Sequence, residues 1–449
     1  MKFNRSRVST QLVVVFTVIL LFVAFGGIIA LAQTQAPVKD QTASTGDDPE
    51  KTDISPVQDA GTAPPQASPP IPEEDKNSLE LYGFAQADMG FNFGQEDPNW
   101  FDVMRPTKLD SFQDQFAPSG TWFFSVRQTR FGAKTTTATP LGELKTIFEF
   151  DFFGVGADAG QTTIRPRYFY GELGQFGAGQ TITPFMDLDV FPNILDYWGP
   201  NGMVFFRNVQ IRWMPKKGKN RITFAVEKPG ASADGGTAAS MIDLSNVRAH
   251  FNVPEFTGEA RFANKLGYIK LSGLFSYFSY TDLAATSTQN ISGSVPSWGI
   301  NVSSNVKFTS KDVARLQVIY GQGCENYMND APLDVGPKLN PGNSVTPIKG
   351  EALPVLGAVA FVDHDWNKKF SSAIGGSMVN IWNSNAELPS DFHQGYYGIA
   401  NLLYSPIKNL MMGGEAQYGR RVNFSDGFNV NDYKVQLSFK YSYSHIFNF

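Results

Sequence analysis

The chain has 449 residues, 42% of them hydrophobic and 18% charged, with a formal net charge of −5. A mean hydropathy of −0.21 excludes a helical membrane bundle, and the near balance of charge gives no polybasic footprint, so no nucleic-acid partner is expected. Thirty-eight Phe, 16 Tyr and 42 Gly beside 27 Pro suit many strands punctuated by turns, and the one cysteine, Cys324, excludes a disulfide framework or a thiolate metal centre.

The first element is an export signal over residues 1–32. Lys2, Arg5 and Arg7 form a basic start, "LVVVFTVILLFVAFGGII" an apolar core, and "ALA" a small-residue cleavage site. An uncleaved inner-membrane anchor is the alternative, since the apolar run is long enough to span. Residues 33–77 are rich in Pro, Ala, Asp and Gln and lack aromatics, which predicts a disordered periplasmic linker. From residue 78 to 449 the pattern changes to period two.

In "LELYGFAQADMGFNF" Leu79, Leu81, Ala85, Ala87, Met89, Phe91 and Phe93 share one face, against Glu80, Gln86, Asp88 and Asn92. "GELKTIFEFDFF", "NVQIRW" and "NRITFAVE" repeat the scheme, with aromatic and aliphatic residues on one parity and charges on the other. The chain ends on the longest example, "YKVQLSFKYSYSHIFNF", whose apolar parity runs from Tyr433 to Phe449. In a soluble protein such a strand would be an exposed, aggregation-prone edge. Between strands, long links alternate with tight turns such as "GQFG", "KKGKN", "NKLG", "SKD", "DWNKK" and "SPIKN", and fifteen links join sixteen strands.

That alternation predicts an all-β, transmembrane antiparallel β-barrel of about sixteen strands, with short periplasmic turns and long external loops. In lipid every backbone N–H and C=O must be paired, so a closed barrel spans where an open sheet cannot. The last strand then pairs with the first, and its aromatic face meets outer-membrane lipid. The terminal Phe449 matches the C-terminal aromatic that outer-membrane barrel assembly machinery reads.

Sixteen strands leave an aqueous channel. Parity points Lys145, Arg165, Arg167, Arg212, Arg221, Arg261, Lys270, Lys307, Arg315 and Lys440 inward, together with Asp88, Glu143, Glu149, Asp151, Glu227 and Glu259. Arginine forks suit carboxylate or phosphate; pairing with neighbouring acids is the alternative for each. In "SVRQTRFG" the odd spacing of Arg127 and Arg130 puts one of them in the lumen unless a bulge intervenes. The third long link, "ITPFMDLDVFPNILDYWGPNG", is apolar and holds Pro184, Phe185, Asp187, Asp189 and Asp196. A loop so apolar is expected to fold into the barrel, narrowing it and bringing its acids to the arginine wall; packing on a neighbouring subunit is the alternative.

"RQTRFGAKTTTATPLGELKTIFEFDFFG", "RPRYFYGELGQFGAGQTITPFMD" and "FPNILDYWGPNGMVFFRNVQIRW" resemble the DcaP-like porins of Gram-negative bacteria. The resemblance implies a homotrimer of sixteen-stranded barrels, an inward third loop and a preference for small anionic solutes such as dicarboxylates. It also points to Arg130 as the lumen arginine of its pair. The Pro-rich linker departs from family members that carry a coiled-coil segment before the barrel. His250, His364, His393 and His445 lack metal-ligand spacing, so no metal or cofactor is expected. The expected function is a passive outer-membrane channel with an anion bias; a weakly selective general channel is the runner-up. An adhesin or enzyme has less support, for the loops lack repeats and no G-x-S-x-G elbow is present.

Overall fold

The computed structural model describes residues 77–449. The export signal and all but the last residue of the linker lie outside the described residues. The strands are β1 (Ser78–Asn92), β2 (Thr121–Ser125), β3 (Arg130–Thr139), β4 (Gly142–Phe153), β5 (Thr162–Leu173), β6 (Phe176–Ile182) and β7 (Arg207–Lys216). There follow β8 (Arg221–Glu227), β9 (Val247–His250), β10 (Glu255–Asn264), β11 (Gly267–Asp282), β12 (Gly293–Lys307), β13 (Asp312–Gln322), β14 (Val335–Leu339) and β15 (Ile348–Ala352). The chain finishes with β16 (Pro354–Asp365), β17 (Phe370–Ile381), β18 (Phe392–Ile407), β19 (Leu410–Asn423) and β20 (Asn429–Asn448).

All pairings in the wall are antiparallel, and the sheet closes where β1 meets β20, from Ser78↔Asn448 to Asn92↔Lys434. β2 and β3 both pair with β1 and are one wall strand interrupted at residues 126–129. β9 and β10 both pair with β11 and are a second interrupted strand. Eighteen segments therefore make sixteen wall strands, and β14 and β15 form a separate hairpin in the sixth long link.

The faces are inverted relative to a soluble protein. On β20, Val435, Leu437 and Phe439 are 43–50% exposed, whereas Lys434, Gln436, Ser438 and Lys440 are at most 2% exposed. Trp122, Phe124, Ile211, Phe262, Ile269 and Ile374 also stand on the outside. An apolar outer surface with polar groups inside requires a non-aqueous medium around it. Among the described residues no helix is long and apolar enough to cross a membrane.

The interior holds a substantial apolar core. Phe185, Met186, Val190, Ile194, Met203 and Val204 of the third long link (183–206) pack on inward residues Val355, Val359, Phe361, Val379, Ile381 and Ile399 of β16, β17 and β18. Met104 and Leu109 of the first link (93–120) and Tyr327 and Met328 of the sixth (323–353) join the same cluster. The fit is close: a Cβ on Gly202 would lie 2.0 Å from the Met378 carbonyl oxygen, so only glycine lets this limb lie against the wall.

Charge clusters of the barrel interior

The densest cluster is built by a bulge. Glu149 pairs with Tyr168 and Phe150 with Pro166, which leaves Arg167 as the extra residue on β5. Arg165 and Arg167 consequently converge on β4. Arg165 grips Asp151 with two bonds, Nε–Oδ1 at 3.0 Å and Nη2–Oδ2 at 2.8 Å. Arg167 reaches Glu149 Oε1 at 2.7 Å and Asp151 Oδ2 at 3.0 Å. Arg130 on β3 lies 3.8 Å from the same Glu149 oxygen, whose partner oxygen accepts the Tyr82 hydroxyl at 2.8 Å. Three guanidinium groups and two carboxylates thus form one network, which carries a net positive charge.

Sequence reasoning missed the residue that caps this network. Tyr197 of the third link donates its hydroxyl to Asp151 and accepts from Arg167 Nη1 at 2.8 Å and from Arg165. Its ring stacks on Phe153 at 4.2 Å between centroids. The aromatic character of "LDYWGP" was the available signal, but nothing local connects Tyr197 to an aspartate 46 residues away.

The irregular stretch 126–129 corrects the reading of the first arginine pair. Val126 stays outside at 52% exposure, while Arg127, Gln128 and Arg130 are all buried on the inner side. Two arginines, not one, enter the lumen. Arg127 bonds Asp102 of the first link at 3.1 Å and lies 3.8 Å from the centre of the Phe153 ring.

Arg212 on β7 is differently placed. Its donors meet neutral oxygens, Gln210 Oε1 at 2.8 and 3.1 Å and the Ile182 carbonyl, and it is only partly buried. Lys145 pairs with Glu143 at 2.8 Å near the short-turn end. Arg221 and Lys270 both bond Glu259, at 2.9 and 2.7 Å.

The acids of the third link do not gather at the arginine network. Asp187 accepts from Tyr268, at 2.9 Å, and from Ser303. Asp189 pairs with Arg261, and its carbonyl takes Asn305 Nδ2 at 2.6 Å and an Arg315 nitrogen. Asp196 accepts the Tyr397 hydroxyl at 2.9 Å and the backbone N–H of Met104. Burial, and then the nearby Glu415 carboxylate, push the Asp196 carboxyl up to about 7. Pro184 and Phe185 are buried, and the Phe185 carbonyl accepts Asn301 Nδ2 at 2.8 Å and Ser272 Oγ at 3.1 Å. The link therefore sweeps round the inner wall from β11 to β19 before Tyr197 reaches β4 and β5.

The first link is held by Lys434. Its Nζ donates to both Glu96 oxygens, at 2.8 and 2.9 Å, and to the carbonyls of Phe101 and Val103, at 3.0 and 2.8 Å. Among the described residues no group of three or more His, Cys, Asp or Glu is arranged to hold a metal ion.

A family model described as DcaP outer membrane protein matches residues 66–443. The chain belongs to the DcaP outer membrane protein family. This DcaP-family chain is similar in fold to the outer membrane channel DcaP of Acinetobacter baumannii, with a TM-score of 0.67 and 18% identity over 82% of this chain and 97% of that one. It is also similar to OmpT of Vibrio cholerae, at TM-score 0.50 and 10% identity, covering 83% of this chain and 100% of that one. An anion-selective porin from Comamonas acidovorans gives 0.50 and 10%, covering 82% and 100%. No curated protein sequence matches the chain. Fold and family place the DcaP-family barrel in the bacterial outer membrane, where its long links are external and its short turns periplasmic.

Proposed function

We propose that this chain forms an outer-membrane channel for small hydrophilic solutes with a preference for anions, carboxylates above all. The observation that carries the reading is the arginine network of Arg130, Arg165 and Arg167, which Tyr197 of the third link caps, together with Arg212 two strands away on β7. Arg165 keeps 21% of its side chain exposed, and Arg212 spends its donors on neutral oxygens. A passing carboxylate can replace water with guanidinium contacts at either one and leave again, because neither site encloses it. A neighbour in fold is described as an anion-selective porin, which supports the same reading. We take the working unit to be a trimer, as the resemblance to the DcaP-like porins implies.

Arg212 supplies the clean test, since removing it orphans no acid. Arg212→Gln is expected to lower the chloride-to-potassium permeability ratio about two- to tenfold, from the loss of one lumen charge at partial screening. Reversal potentials in planar bilayers under a salt gradient measure it. An unchanged ratio, or a wild-type channel that passes cations as readily as chloride, overturns the anion reading. The weakly selective general channel then stands, and the carboxylate pairing of Arg165, Arg167 and Arg221 favours it.

A further inference from the structure

The two ends of the barrel differ in charge in a way that channel function leaves unused. Seven short turns close the periplasmic end, at residues 140–141, 174–175, 217–220, 265–266, 308–311, 366–369 and 408–409. They contain seven lysines, Lys217, Lys219, Lys265, Lys311, Lys368, Lys369 and Lys408, and no acid. All seven lysines are exposed. The external links carry the opposite bias, with eighteen acids against five bases. The lysines are therefore not a general basic coat.

Their distribution round the rim is uneven too. Every one lies in the arc between β7 and β19, and the two turns joining β3 to β4 and β5 to β6 have no charged residue. On the same arc, exposed aromatics stand beside the turns on the outer face: Trp213, Phe262, Phe308 and Trp366. Aromatic side chains at strand ends mark the depth of the membrane interface. The lysines next to them sit where lipid headgroups lie. The acids of this rim are few and engaged: Glu172 bonds Lys217 at 2.5 Å, and Asp312 accepts from Thr309 and from His364 at 2.5 Å. Lys311 donates to the Trp366 carbonyl at 3.2 Å.

We propose that the periplasmic rim from β7 to β19 is a binding surface for anionic phospholipid headgroups of the inner leaflet of the outer membrane. A headgroup phosphate satisfies an exposed ammonium at the interface, and each added lysine strengthens the attraction within a Debye length. A dispersed arc with one or two lysines per turn suits laterally mobile lipids. A folded partner or a rigid polymer would need its contacts gathered in a patch. The uncharged arc, β1 to β6, is correspondingly the part of the wall that does not select anionic lipid.

The test uses the full chain reconstituted in phosphatidylcholine bilayers, with spin-labelled phosphatidylglycerol or phosphatidylcholine as probe. The variant replaces Lys219, Lys265, Lys368, Lys369 and Lys408 with Gln and leaves the engaged Lys217 and Lys311 in place. For the natural chain the association of phosphatidylglycerol relative to phosphatidylcholine is expected to be several-fold, falling toward parity in the variant and at high salt. Heat-modifiable migration and unchanged single-channel conductance confirm that the variant folds. Parity in the natural chain, or preference retained by the folded variant, overturns the proposal. Lysine-dependent co-sedimentation with peptidoglycan sacculi without any lipid preference overturns it in favour of the polymer.

Discussion

Asp151 is the pivot of the arginine network, with Arg165, Arg167 and Tyr197 all on its two oxygens. Buried charge networks are costly to break one-sidedly, and the sign of the orphan decides the effect. Asp151→Asn removes a negative charge and leaves the arginines, so anion preference should rise. Arg167→Gln leaves two carboxylates nearer to dominance and should shift the reversal potential toward cations. Paired bilayer recordings in opposite directions are the expected outcome, and a shift of the same sign in both would place the selecting charge elsewhere. Asp196 gives a pH signature. A carboxyl raised to about 7 in the folded state and ordinary when unfolded keeps its proton in the native form between about pH 4 and pH 7. Native protein then binds more protons than unfolded protein, so stability falls as pH rises through that window and is flat above it. Once the intrinsic base-catalysed rate is divided out, protection of the third-link amides should fall from about pH 5 to pH 7, and Asp196→Asn should remove that residual dependence. At this scale the sequence was partly legible. Parity alone put Arg165, Arg167, Glu149 and Asp151 inside, but the break at 126–129 lets both Arg127 and Arg130 in, and Tyr197 meets its partners only through the closed fold.

The three inward links are elements of the interior as much as the strands are. Period-two patterning reveals strands because each side chain answers to its own wall position, and it located the turns and the sixteen crossings closely. It says little of links, whose fit depends on distant residues. The apolar third link announced itself, whereas the first gave weaker signs in "NWFDVM", and the hairpin β14–β15 gave none. Lys434 shows the reason, since its four acceptors lie more than 330 residues away in sequence. Lys434→Ala strands the buried Glu96 carboxylate and two carbonyls. Removing one partner of such a site costs about 3–5 kcal/mol. The first link should leave the lumen, seen as new protease cleavage within residues 93–120 and a larger single-channel conductance. Loss of cleavage-resistant β2 and β20 as well would mean that the wall itself depends on the lysine.

For the molecule as a whole, the hydrogen-bonded ladder runs unbroken from β1 round to β20, and the links contribute little to it. Replacing residues 185–204 by a short Gly-Ser connection is therefore expected to preserve heat-modifiable migration while raising conductance several-fold, by opening the cross-section that the link occupies. A chain that no longer inserts would show that the interior core is needed for closure. The apolar patch on β16 to β18, which the third link covers with Phe185, Met186, Val190 and Ile194, carries a further consequence. Emptied of its loop, that side of the bore would be lined by Val355, Val359, Phe361, Val379 and Ile381. Water wets such a surface poorly and can withdraw from it in bursts. A widened version of this barrel would then conduct past one poorly wetted flank, a source of current noise. An engineer seeking a quiet nanopore would have to replace those five side chains with polar ones at the same time as the loop.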